Sequence, residues 1–229
     1  MSLLKVTAQN CMDAFYQQFK SEEDFFELYH FKYLLSVMYF SYLQKEYEQS
    51  YKQTFIETGT GMATINPEWY MPQEITITPS DKIAAYVGEL QCKPFQFRFD
   101  NQSTGIRDIV PIAGRCKEFI RINFDERYKF ELLPPSSEVY WFPLGNQIYF
   151  NHIKCGLSKA IVLIIPDIDP NDENAVIPAA IEADVLSATL NFMLQARQGK
   201  QVIDVSQDGN PNMSLQTEIN NLFTKMQGK

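Results

Sequence analysis

Ala160-Ile161-Val162-Leu163-Ile164-Ile165 is apolar at every position and stops at Pro166. A strand with one face in water alternates apolar and polar residues, because successive side chains point to opposite faces. This run does not alternate, so it is read as a strand covered on both faces, by its own domain or by a neighbouring subunit. Asp167, Asp169, Asp172 and Glu173 follow, and then a helix that begins near Pro178. None of these residues is placed for catalysis, and the segment reads as architecture.

Upstream, Gln147-Ile148-Tyr149-Phe150-Asn151-His152 has strand character, and the residues up to Ser158 resemble a strand end and turn. The reading is a hairpin over residues 147–165. Glu74-Ile75-Thr76-Ile77-Thr78 and Phe95-Gln96-Phe97-Arg98-Phe99 alternate with period two, and residues 118–124 supply a further strand. Pro111, Pro134, Pro135 and Pro143 bound these strands. Several short strands at this spacing predict an antiparallel β-sandwich or barrel.

Helices flank the β-rich region. Ser21 stands three residues ahead of Asp24 and directly before an apolar run, a helix-start signal. From residue 25 to 43 apolar side chains crowd nearly the whole circumference, including Phe31, Tyr39 and Leu43. A surface helix carries a single stripe, so this one is expected to be buried on several sides and to end before Gly59. Residues 179–197 carry a stripe of Ile181, Val185, Ala188 and Phe192, and residues 213–226 read as a final amphipathic helix. The fold class is α+β: N-terminal helices (1–58), a central antiparallel β-sandwich or barrel-like region (59–167) and C-terminal helices (168–229), with the helical regions packed together.

The 229 residues are enough for a substantial core. Aromatic residues make up 14 % of the chain, more than a core of this size needs, which leaves rings over for interfaces. The net charge of -8 repels a phosphate backbone and argues against sequence-specific nucleic-acid binding. Cys11, Cys92, Cys116 and Cys155 form no close pair, and residues 1–5 lack a secretory apolar core. Free thiols in a reducing compartment are expected, which makes the sequons at Asn101 and Asn212 chance matches. The apolar window 31–43 is shorter than the ~20 residues a membrane span needs and contains Lys32.

Catalytic signals are sparse. The two histidines are His30 and His152, and no G-x-S-x-G, H-E-x-x-H, P-loop or G-x-G-x-x-G pattern occurs. Gly59-Thr60-Gly61 lacks the lysine of a phosphate loop and reads as a turn. A zinc site built from His152 and Cys155 would need Cys92 and Cys116 to arrive without any C-x-x-C pairing, so a buried thiol beside a loop imidazole is the preferred reading. Asp167, Asp169, Asp172 and Glu173 do not match a calcium-binding EF-hand loop and read as a solvated turn that favours the N-terminus of the next helix. Arg115, Lys117, Arg121, Arg127 and Lys129 are interspersed with acids, as on an ordinary solvated face or in intersubunit ion pairs and not in a nucleic-acid groove. Trp69 and Trp141 lie in aromatic clusters beside prolines and read as core or interface anchors before sugar platforms. Neither a cofactor nor a metal is expected.

The hairpin 147–165, Ile165-Pro166-Asp167 with its acidic loop, Val176-Ile177-Pro178-Ala179-Ala180-Ile181-Glu182 opening a long helix, and Gln195-Ala196-Arg197-Gln198 running on to Asp204-Val205 and Asp208-Gly209-Asn210 form one pattern. It resembles the head-to-tail connector, or neck ring, proteins of tailed bacteriophages, most closely those of crAss-like phages. The likeness covers the last third of the chain well and the first half in outline. It implies a non-enzymatic virion structural protein, found in the host cytoplasm during assembly. Such a protein forms a homo-oligomeric ring, typically a dodecamer, that contacts the portal and other neck or tail proteins and gives DNA a non-specific passage, without a membrane. A ring protomer buries apolar surface on its neighbours, and Phe31, Tyr39, Ile161, Leu163 and Phe192 are the candidate assembly contacts. Two other classes are a β-sandwich binding module for carbohydrate or protein, which an exposed Trp69 or Trp141 beside a groove would favour, and an enzyme of unfamiliar type, which would need a cleft joining His152 to a perturbed carboxylate.

Overall fold

The computed structural model describes residues 2–18, 26–58, 65–80, 86–97, 105–112, 118–126, 138–151, 153 and 158–197. In chain order the elements are β1 (Ser2–Leu3), α1 (Leu4–Gln18), α2 (Leu28–Thr58), β2 (Met71–Pro79), β3 (Tyr86–Glu89), β4 (Ile106–Pro111), β5 (Glu118–Arg121), β6 (Glu138–Leu144), β7 (Gln147–Phe150), β8 (Lys159–Ile164), β9 (Val176–Ile177) and α3 (Ala179–Arg197). Short 3-10 turns occupy Pro67–Trp69 and Phe124–Glu126. The architecture is α+β: helices around one core, and a seven-stranded, nearly closed barrel around another.

The strand order is β4-β8-β2-β3-β7-β6-β5. Every pairing is antiparallel except β5 with β6, which run parallel. A parallel neighbour demands a long crossover, and the two strands are well separated in the sequence, β5 ending at Arg121 and β6 starting at Glu138. β4 and β5 approach each other at the seam but share no ladder among the described residues. The barrel-like region expected from strand spacing is present, antiparallel throughout except for the β5–β6 pair, which makes it mixed.

Partner choice overturns the hairpin expected over residues 147–165. β7 pairs with β3 and β6, whereas β8 pairs with β2 and β4. The local hairpin is β6–β7, where Leu144 faces Gln147 across a two-residue turn. Gly145 takes φ +64 at the first turn position, and among the described residues no non-glycine, Asn146 included, has a positive φ, which is the type II′ pattern that matches strand twist. The expected strand at residues 95–99 is also corrected. Phe95 and Phe97 are buried and Gln96 is exposed, so the alternation is real, but the described part of the segment makes only isolated bridges. Its two rings pack into the helical core, with Phe95 edge-on to Tyr39 and Phe97 stacked on Tyr47 at 4.3 Å.

The barrel interior holds Ile75 and Ile77 from β2, Ile106 and Ile109 from β4, Val139 and Trp141 from β6, Ile148 and Phe150 from β7, and Ala160, Val162 and Ile164 from β8. Gly88 on β3 makes room for this filling: a Cβ there would lie 2.6 Å from Ile75 Cδ1. On the opposite side of the β6–β7 hairpin, Phe142 and Tyr149 stack at 5.3 Å.

α1, α2 and α3 enclose the second core. Along α2 no residue from 31 to 44 is exposed, which agrees with the crowded apolar circumference read from the sequence. From residue 48 onward no described residue of α2 is buried, so the last three turns, ~15 Å at ~1.5 Å per residue, run past the core. α2 starts at Leu28; the capping stretch 21–24 lies outside the described residues, as do Gly59 to Gly61 and the helix expected at 213–226. α3 matches its expected bounds, but its inward seam is Ile181, Val185, Thr189, Phe192 and Met193, with Thr189 in the place given to Ala188. The Thr189 hydroxyl is satisfied inside the helix by the Val185 carbonyl at 2.8 Å.

Two devices fix the N-terminus against α3 and the exit of β8 against Lys93, Phe95 and Gly105. β1 pairs antiparallel with β9, and Leu4 N–H donates to the Ala175 carbonyl at 2.8 Å. Glu182, in the first turn of α3, accepts hydrogen bonds from Ser2 Oγ at 2.5 Å and from the buried Thr7 Oγ1 at 2.8 Å. At the exit of β8, Phe95 N–H donates to Ile165 O, Ile165 N–H to Gly105 O and Gly105 N–H to Phe95 O. Asp167 N–H donates to Lys93 O beside an exposed Lys93–Asp167 ion pair at 3.7 Å.

Candidate functional site

β8 is an inner strand of the barrel, and its two faces differ. Ala160, Val162 and Ile164 point inward and are buried. Ile161 and Leu163 point outward and are half-buried. The apolar run is thus covered fully on one face and in part on the other. The register places Leu163 between Pro72 of β2 and Asp108 of β4, and Ile161 between Glu74 and Val110. One step further, Ile112 N–H donates to the carbonyl of Lys159, which faces Thr76.

The outer face of β2, β8 and β4 therefore carries an apolar strip of Pro72, Leu163, Ile161, Val110 and Ile112. Val110 and Ile112 are 43 % and 44 % exposed and lie on the same face as Ile161 and Leu163. The rim is polar. Lys159 Nζ meets Glu74 Oε1 at 2.6 Å, with both groups about half exposed, and Asp108 Oδ1 accepts from the Ile109 N–H at 2.7 Å. An apolar centre with a polar rim is the anatomy of a protein–protein contact. The bulge between Ile106 and Asp108, the self-bonded Asp108 and the terminal Pro111 all blunt the β4 edge against strand addition. This surface is suited to contact through its face.

The five candidate contacts divide sharply. Phe31, Tyr39 and Phe192 are buried in the helical core of their own chain. Phe31 packs against Phe15 and Phe26, and the Tyr39 hydroxyl donates to the Pro166 carbonyl at 2.8 Å. These three side chains have no surface to offer a neighbour, because α2 is crowded by α1, α3 and residues 95–97. Ile161 and Leu163 do have such surface, and the strip joins them. Val110, Ile112 and Pro72 are not among the contacts expected from the sequence; the apolar Ile109-Val110-Pro111-Ile112 run is the signal that points to two of them, but Pro111 also marks the end of a strand.

The acidic loop bonds to itself. Asp169 Oδ1 accepts from the Asn171 N–H at 2.9 Å, and Asp172 Oδ1 from the Asn174 N–H at 2.9 Å. These carboxylates cap their own turns, and Glu182 is the acid in the first turn of α3. Among the described residues no group of three or more His, Cys, Asp or Glu side chains is placed to hold a metal ion. His152, Cys116 and Cys155 lie outside the described residues, as do Arg115, Lys117, Arg127 and Lys129. Burial pushes the Cys11 thiol up to about 12. Burial, followed by the charges of Asp172 and Asp167, pushes Cys92 up to about 11. Neither is primed as a nucleophile, since the thiolate is the reactive form.

Both tryptophans are core residues. Trp69 belongs to the helical core and Trp141 to the barrel interior, where Arg121 lies 5.7 Å from its ring. The exposed tryptophan that would favour a carbohydrate platform is not found at either position. No helix among the described residues is long and apolar enough to cross a membrane. No protein-family model and no curated protein sequence matches this chain.

Proposed function

We propose that this protein is a virion structural subunit that forms a ring in the neck of a tailed phage, linking the portal to the tail and lining the DNA channel. The phage assignment rests on the resemblance carried by residues 147–182 and 195–210. The observation that supports self-assembly is the apolar strip on the outer face of the barrel, where exposed Pro72, Val110 and Ile112 flank half-buried Ile161 and Leu163. A cyclic ring needs a heterologous contact, in which one face of each subunit meets a different face of the next. The strip supplies one such face, and its occupant is a second copy of this chain. The net charge of -8 suits a channel wall that DNA passes without adhering.

Native mass spectrometry and electron microscopy of the purified chain, alone and with the portal protein, test this reading. A dodecameric ring seated on the portal is the expected result. A protein that stays monomeric and never joins a portal complex would overturn it.

A further inference from the structure

We draw no further inference here: the strongest candidate, the distal turns of α2 where Phe55 and Ile56 are exposed, is an apolar helix end for which nothing in the structure shows what covers it.

Discussion

Tyr39 and Pro166 join the two halves of the molecule: the phenol in the middle of α2 donates a buried 2.8 Å hydrogen bond to the carbonyl of the residue that ends the apolar run of β8. Proline has no N–H of its own, so its carbonyl is the one backbone polar group this position must satisfy. Burial holds the Tyr39 phenol well above its ordinary range, with Asp167 and Cys92 adding to the effect, so the hydroxyl stays protonated and donating. Tyr39→Phe keeps the ring and strands the carbonyl, and should cost about 1–3 kcal/mol. Tyr39→Ala also opens a cavity beside Phe95 and should cost about 3–5 kcal/mol. Urea denaturation of the two variants checks both the size and the order of these losses.

Gly105 and Gly88 should respond differently to alanine. A Cβ on Gly105 would lie 2.8 Å from the Ile165 carbonyl oxygen, inside the backbone knot formed with Phe95. Backbone cannot move without loosening that knot, so Gly105→Ala should cost about 1–3 kcal/mol through overpacking. At Gly88 the obstacle is Ile75 Cδ1, the tip of a side chain that can change rotamer. Gly88→Ala should therefore be the milder change. Equal thermal midpoints for the two variants would refute this ranking.

Helices were legible in the sequence because their signals are local. Pro178 and the Ile181–Val185 spacing located α3, and the crowded ring of apolar side chains forecast a helix with no exposed residue from 31 to 44. Strand partners were not legible, because pairing is decided by residues far apart in the chain. β7 and β8 are neighbours in sequence, yet β3 and β2 lie between them in the barrel. β3 itself, Tyr86-Val87-Gly88-Glu89, is too short to announce a strand, although its glycine is what admits Ile75 into the interior. The candidate surface was half legible. Ile161 and Leu163 differ little in hydropathy from Val162 and Ile164, so composition cannot say which alternate set faces the interior.

Glu182 ties the N-terminal residues to α3 through two hydroxyls, one of them on the buried Thr7. Glu182→Ala deprives a buried donor of its main acceptor and should cost about 1–3 kcal/mol. Glu182→Gln retains an acceptor oxygen and should cost less. Hydrogen exchange at the Leu4 amide, which donates to Ala175, should accelerate in the alanine variant. An unchanged rate would show that β1 is held by its ladder alone.

Cys11 makes stability depend on alkaline pH. Its folded pKa of about 12 lies above the ordinary value of 9.0, so the folded state holds its proton more tightly than the unfolded state. The stabilisation is complete below pH 9.0 and is lost as pH rises towards about 12, at up to about 1.4 kcal/mol per pH unit. Cys11→Ala should make that part of the stability–pH profile shallower, leaving the share of Cys92 and the buried phenols, while lowering neutral stability modestly. Alkylation just below the ~8.5 pKa of a free thiol, followed by peptide mass spectrometry, should leave Cys11 unlabelled in the native protein and labelled once it unfolds.

The outer strip allows assembly to be separated from folding. Val110 and Ile112 are exposed in the isolated subunit, so Val110→Glu with Ile112→Glu should shift its stability by only about 0.5 kcal/mol per site. If the strip is covered by a second copy, each new carboxylate is buried without a partner in the assembly, which is far more costly. The double variant should fold with a normal denaturation midpoint yet form no ring. Val162→Glu is the contrasting control, because Val162 faces the interior and its replacement should abolish folding itself. Rings formed as readily by the double variant as by the parent chain would remove this face from the interface. A parent chain that forms no ring, alone or on a portal, would instead remove the neck-ring reading.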